Sequence, residues 1–201
     1  MKTKKEIRML PLQELRIEDE EAGEIIGHAS VFNSWSELLG GLFPFKEIVR
    51  KGAFIDTIKV DDIRALFNHD PNFVLGRNKA GTLELEEDDI GLKVRILLPN
   101  TQTAKDLVEN IRRGDISQMS IGFIVEDDSW GTKDGIDIRE IKKVQLFDVS
   151  IVTFPAYTQT DCGVRAMEEY NNYKSKRDEA KDSKERAKAK QKLQSIRTKF
   201  I

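Results

Sequence analysis

The sequence predicts a mainly β domain with a few helices, an antiparallel barrel or curved sheet, from three observations. Apolar and polar residues alternate through most of residues 7–167. Two alternating runs, GTLELEED (81–88) and GLKVRILLP (91–99), are joined by a short Asp-Asp-Ile-Gly turn and read as a hairpin. Only two stretches carry helical spacing.

The elements follow in order. GEIIGHASVF (23–32) alternates apolar with small or polar positions, as a half-buried strand does. A short helix is expected near Lys51–Ile58. DIRALFN (62–68) is strand-like, and the 81–99 hairpin comes next. TAKDLVENIRRG (103–114) places Ala104, Leu107, Val108 and Ile111 on one helical stripe, with Thr101 or Thr103 as N-cap and Gly114 as stop. SIGFIVED (120–127) puts Ile121, Phe123 and Val125 on one face of a strand. IDIREIKKVQLF (136–147) is a further strand. DVSIVTF (148–154) continues it after a bend and is closed by Pro155.

Composition narrows the function classes. The chain has 201 residues, 39% hydrophobic and 34% charged. No run approaches the ~18 apolar residues of a membrane span, so no membrane partner is expected. The basic start MKTKKEIRML is followed by Pro11 and the acidic run 18–21 where a signal peptide would have its apolar core. The single cysteine, Cys162, excludes an internal disulfide and a cysteine-based zinc cluster and points to a reducing compartment. A net charge of −2 argues against nucleic acid as partner.

Charge is unevenly placed. Residues 168–201 carry 11 Lys/Arg against 6 Asp/Glu, leaving 22 against 29 in residues 1–167. The last segment lacks Gly and Pro and has no apolar stripe before Leu193, Ile196 and Phe200. It buries too little apolar surface to offset its ordering entropy. The domain is therefore expected to span 1–167, with 168–201 as a solvated helix or disordered tail, removable or partner-binding.

Few residues can carry chemistry. His69, in LFNHDPNFVLG, ends an apolar strand, where a scaffold presents a side chain to a cleft. Histidine serves as base and then acid near neutral pH; the alternative is an exposed loop residue. His28, inside GHASVF, reads as a structural, partly buried histidine. Ser120, in GDISQMSIGF, sits where a turn meets an apolar strand. A serine becomes a nucleophile only beside a base. Gly122 would allow a substrate chain to come close. Ser117 and Cys162 are the competing nucleophiles. No phosphate-binding glycine loop is present. The cluster Glu86, Glu87, Asp88 and Asp89 falls on the hairpin tip and is expected to be solvated. Asp61, Asp62, His69 and Asp70 lack metal-ligand spacing, so neither metal nor cofactor is expected.

The ordered set GHASVFN (27–33), KGAF (51–54), LFNHD (66–70), VLGR (74–77), GTLELEEDDIGLKVRILLP (81–99), RRGDISQMSIGF (112–123) and DVSIVTFPAY (148–157) resembles the prohead serine proteases of tailed phages, of the HK97 type. The resemblance covers roughly residues 23–165. It implies a serine endopeptidase with the β-barrel fold of herpesvirus assemblin, needing no cofactor. It implies as substrate the scaffolding segment of the phage major capsid protein, and often the protease itself. It implies as place the host cytoplasm, inside the prohead, and a homo-oligomeric form. A catalytically silent assembly module on the same fold is the alternative.

By position, the family's catalytic histidine falls on His69, its serine on Ser120 and its acid on Asp148. Many relatives carry glutamate at the last place, so this chain's acid is one methylene shorter. Glu140 is the rival acid. Asp148 shares a strand face with Ser150 and Val152 in an apolar run, where a carboxylate needs a partner. Glu140 lies among Arg139, Lys142 and Lys143, the setting of a solvated carboxylate.

Overall fold

The computed structural model describes residues 5–8, 15–19, 23–39, 44–154 and 170–185. Ten strands and three helices are named here in chain order. They are β1 (Glu6–Arg8), β2 (Arg16–Asp19), β3 (Glu24–Val31), β4 (Phe45–Val49), α1 (Thr57–Val60), β5 (Arg64–Phe67), β6 (Asp70–Arg77), β7 (Leu83–Glu87), β8 (Gly91–Leu97), α2 (Gln102–Arg113), β9 (Gln118–Lys133), β10 (Ile136–Val152) and α3 (170–185). The chain divides into two units, within Met1–Gly163 and Val164–Ile201. The boundary expected near Met167 lies outside the described residues.

The first unit is mainly β, as expected, and its sheet curls into a half-barrel. One sheet runs β1-β9-β10-β5-β6, with β4 also on β10; the other runs β2-β3-β8-β7. Their apolar faces form one core. Ile25, Leu92, Val94 and Ile96 of the second sheet join Ile121, Phe123, Leu146 and Val149 of the first, all buried. The 81–99 hairpin forms as read, pairing Leu83 with Ile96 and Glu87 with Leu92. In α2, Ala104, Leu107 and Ile111 are buried. Thr101 caps its start, its hydroxyl accepting from the Ala104 N–H, and Gly114 in the left-handed conformation ends it.

The sheet departs from a purely antiparallel one. β4 and β5 both run parallel to β10, end to end along one edge, at Asp137–Ile141 and Asp148–Ile151. Between them the chain leaves the edge through 50–63 and keeps the ladder supplied with acceptors. The Ala53 carbonyl accepts from Val144 N–H at 3.1 Å and the Thr57 hydroxyl from Leu146 N–H at 2.8 Å. β9 and β10 are longer than the alternation indicated. They form one hairpin closed by Asp134 and Gly135, both at positive φ, and the bend before Asp148 is a bulge within a single strand.

Two local expectations change for one reason. The helix expected near Lys51–Ile58 is only four residues long, Thr57–Val60. Gly52 stands at φ +99°, and the Glu87 carboxylate takes the N–H groups of Gly52 and Phe54 at 2.8 and 2.7 Å. The acidic hairpin tip is thus not simply solvated. Besides Glu87, Asp88 meets His28 Nε2 at 2.8 Å and accepts from Ile90 and Gly91 N–H, and Asp89 pairs with Lys51. His28 is structural, as read.

In the second unit, α3 is exposed along most of its length. Lys174 and Arg177 sit over the rings of Tyr170 and Tyr173 one turn earlier.

The Asp88 network gives a pH prediction. Burial alone would raise the Asp88 pKa, but hydrogen bonds from His28 and from the Gly91 and Ile90 backbone outweigh it and bring it from 3.8 to about 2. A depressed carboxylate pKa stabilises the fold above the unfolded value, and that share vanishes as pH falls through the folded one. Asp88→Asn should therefore cost about 1 kcal/mol at neutral pH, given partial exposure. The gap to wild type should close between pH 4 and 2 in urea titrations. A gap constant over that range would refute the assignment.

Candidate active site

The pairing of β10 brings three side chains together. On one edge, Ser120 of β9 is opposite Ser150 of β10, and Gly122 is opposite Asp148. On the other edge, β5 ends at Phe67 opposite Ile151. The chain then turns back into β6 through two residues, Asn68 and His69, at φ +53° and +57°. Two successive positive φ values are what a type I′ hairpin loop requires, and asparagine suits the first position. Histidine at the second costs about 1 kcal/mol of backbone strain. Asn68 holds the turn: its amide donates to the Thr153 hydroxyl at 3.1 Å and accepts from Thr153 N–H at 2.8 Å.

The turn aims His69 back across β10. Its Nε2 lies 2.8 Å from Ser120 Oγ, and its Nδ1 lies 2.5 Å from Asp148 Oδ1. The shorter acid therefore reaches. With Nδ1–H donating to the carboxylate, Nε2 is the basic nitrogen facing the serine. Ser120 is fully buried. Its single hydroxyl proton has two acceptors in reach, His69 Nε2 and the Arg8 carbonyl oxygen at 3.0 Å.

Asp148 is 2% exposed. The Ser150 hydroxyl donates to its Oδ1 at 2.8 Å, and Lys5 Nζ donates to Oδ2. Burial alone would raise its pKa; the hydrogen bonds and charge of His69 and Lys5 outweigh burial and hold it below the ordinary value. Gly122 makes room for this carboxylate. A Cβ there would strike Asp148 Oδ2 and the Lys5 side chain. The glycine thus admits the acid, where the sequence had pointed to an approaching substrate.

The other sequence candidates stand apart. Ser117 is exposed in the turn before β9. Glu140 lies in the other half of β10, opposite Ile48 and Ser129, and pairs with Arg50 at 2.7 Å, which lowers its pKa. Cys162 and Pro155 lie outside the described residues. Asp62 is held to about 2 by Arg77, Asp61 accepts from Thr57, and Asp70 caps its own turn. Among the described residues no group of three His, Cys, Asp or Glu gathers that could hold a metal.

The sequence reading missed the amino-terminal strand. β1 pairs antiparallel with β9, Glu6 opposite Phe123 and Arg8 opposite Ile121. Arg8 is buried with its Nε 2.8 Å from Glu47 Oε1 and its Nη2 2.7 Å from Glu6 Oε2. Arg139, also buried, joins both carboxylates and Asp128. Burial alone would lower the Arg139 pKa, but these three carboxylates outweigh it and raise it. The hint in the sequence was charged residues at strand positions in KEIR and FKEIV.

A curled, mainly β half-barrel with a serine, a histidine and an aspartate in one hydrogen-bonded line defines the class of site found in serine hydrolases. Residues 12–175 match the family described as caudovirus prohead serine protease, and the chain belongs to that family. At that level it is a serine peptidase of phage capsid maturation. No curated protein and no solved structure matches it. Among the described residues no helix is long and apolar enough to cross a membrane.

Two substitutions test the packing around the acid. Ser150→Ala removes one hydrogen bond to a buried charge, about 1.5 kcal/mol, so cleavage should slow about 10-fold. Gly122→Ala should slow it further by displacing the carboxylate. Measured kcat on one substrate decides the ranking; wild-type kcat in Gly122→Ala would show that the slot is not needed.

Proposed function

We propose that this chain is a serine endopeptidase that removes the scaffolding segment of a phage major capsid protein inside the prohead, in the host cytoplasm, and also cuts itself. Ser120 is the nucleophile, His69 the base and Asp148 the acid. The observation that carries the reading is the line Ser120 Oγ–His69 Nε2–Asp148 at 2.8 and 2.5 Å.

The chemistry follows from this line. Ser120 Oγ attacks the scissile carbonyl carbon while His69 Nε2 takes its proton. The imidazolium that forms is stabilised by Asp148, already anionic and buried beside it. His69 then protonates the leaving amine, and the acyl-enzyme remains. Water enters, His69 takes its proton, and the ester is split. No metal or cofactor has a part in these steps.

Co-expression with a capsid precursor tests the assignment. Ser120→Ala should lose cleavage by about 10⁶ while remaining folded. Asp148→Asn should lose up to ~10⁴, because the histidine is left in the wrong tautomer. Glu140→Gln should cleave normally. Processing by Ser120→Ala would overturn the nucleophile. A folded wild-type chain that cuts no capsid precursor would leave the silent assembly module standing.

A further inference from the structure

β1 lies where a serine peptidase would hold its substrate. It adds to the edge of β9, the strand that bears Ser120, and runs antiparallel to it. It is three residues long and ends with the Arg8 carbonyl oxygen 3.0 Å from Ser120 Oγ. The next covalent bond is the Arg8–Met9 peptide. Strand addition to a sheet edge supplies main-chain hydrogen bonds, and side-chain pockets supply the selectivity. Here the pocket is a fully buried carboxylate, Glu47, that grips Arg8 through Nε at 2.8 Å.

With β1 in place the cluster holds Arg8 and Arg139 against Glu6, Glu47 and Asp128. Without β1 it holds Arg139 against Glu47 and Asp128; β1 adds one cation and one anion, so one negative charge is in excess either way, and what singles out Arg8 is its fit, with Nε on Glu47 Oε1 at 2.8 Å. Glu6 fits less closely, since its Oε1 is buried without a hydrogen-bond partner. Loss of residues 1–8 also takes Lys5 from Asp148, leaving the carboxylate with His69 and Ser150. Residues 5–8 precede the family-matched segment, 12–175, so their loss leaves that segment intact.

We propose that residues 5–8 are a tethered substrate in the cleft, that Arg8–Met9 is the bond at which the chain cuts itself, and that Glu47 selects arginine at the position before the cut. The proposal rests on Ser120 being the nucleophile. While the Ser120 hydroxyl donates to the Arg8 oxygen, the site is at rest. When the proton turns to His69 Nε2, Oγ bonds to the Arg8 carbonyl carbon. The carbon–nitrogen bond to Met9 breaks as that proton passes to the Met9 nitrogen. Water then releases residues 1–8 with a carboxylate on Arg8.

The test uses the full chain and a synthetic peptide of residues 4–13, KKEIRMLPLQ. Intact mass and amino-terminal sequencing of the stored wild-type chain should show a new start at Met9, absent in Ser120→Ala. The peptide should be cut between Arg and Met, and alanine in place of that Arg should slow the cut by about 100-fold or more. The peptide arm keeps the test valid if Arg8→Ala in the chain fails to fold. Normal capsid processing by a chain that keeps residues 1–8, or equal cutting of the alanine peptide, overturns the proposal and leaves the peptidase standing. A chain that cuts neither capsid protein nor peptide removes the peptidase reading itself.

Discussion

Asp148 can hold His69 only because β10 is hydrogen-bonded along both edges at once. The antiparallel ladder to β9 sets Ser120 beside Ser150, and the parallel ladder to β5 sets the Asn68–His69 turn at the end of the same stretch. A slip of one residue in the β9 ladder would turn Ser120 away from the face that carries Asp148, and a slip in the β5 ladder would displace the His69 turn. The bulge before Asp148 re-aims the strand at this point. These side chains are thus placed by sheet register, which is stiffer than any loop. The one loop residue among them, His69, sits in a two-residue turn bonded to β10 through Asn68 and Thr153.

The same double pairing explains where charge is tolerated in the core. β10 passes from a region of buried ion pairs, around Arg139, to a region with one buried carboxylate, Asp148. Neither group would be stable alone. Arg139 is balanced by Glu6, Glu47 and Asp128, drawn from β1, β4 and β9, and Asp148 by His69, Ser150 and Lys5. The segment 5–8 contributes to both sets. Residues 5–8 therefore couple the packing of the sheet edge to the electrostatics of the site.

The sequence made local features readable and long-range ones obscure. The 83–97 hairpin and α2 were legible because their turn, cap and period lie within a few residues. His69, Ser120 and Asp148, the three residues that meet in the structure, were legible because each lies in a short family pattern. The parallel pairing of β4 and β5 with β10 was not, since alternation reports which face is buried and says nothing of the neighbour. The acidic hairpin tip misled for a related reason: Glu87 and Asp88 find their partners at Gly52, Phe54 and His28, far away in the chain. β1 escaped notice because its buried residues are Glu6 and Arg8, charged types that read as surface until Glu47 and Arg139 are placed beside them.

The central claim is that the register of β10 delivers Asp148 to the His69 Nδ1–H. Proton NMR of the full chain reads that bond directly. A strongly hydrogen-bonded imidazole N–H gives a resonance far downfield of the amide envelope. The account predicts such a resonance in wild type, in Ser120→Ala and in Glu140→Gln, and its loss in His69→Gln and Asp148→Asn. A resonance that survives Asp148→Asn and disappears in Glu140→Gln would contradict it.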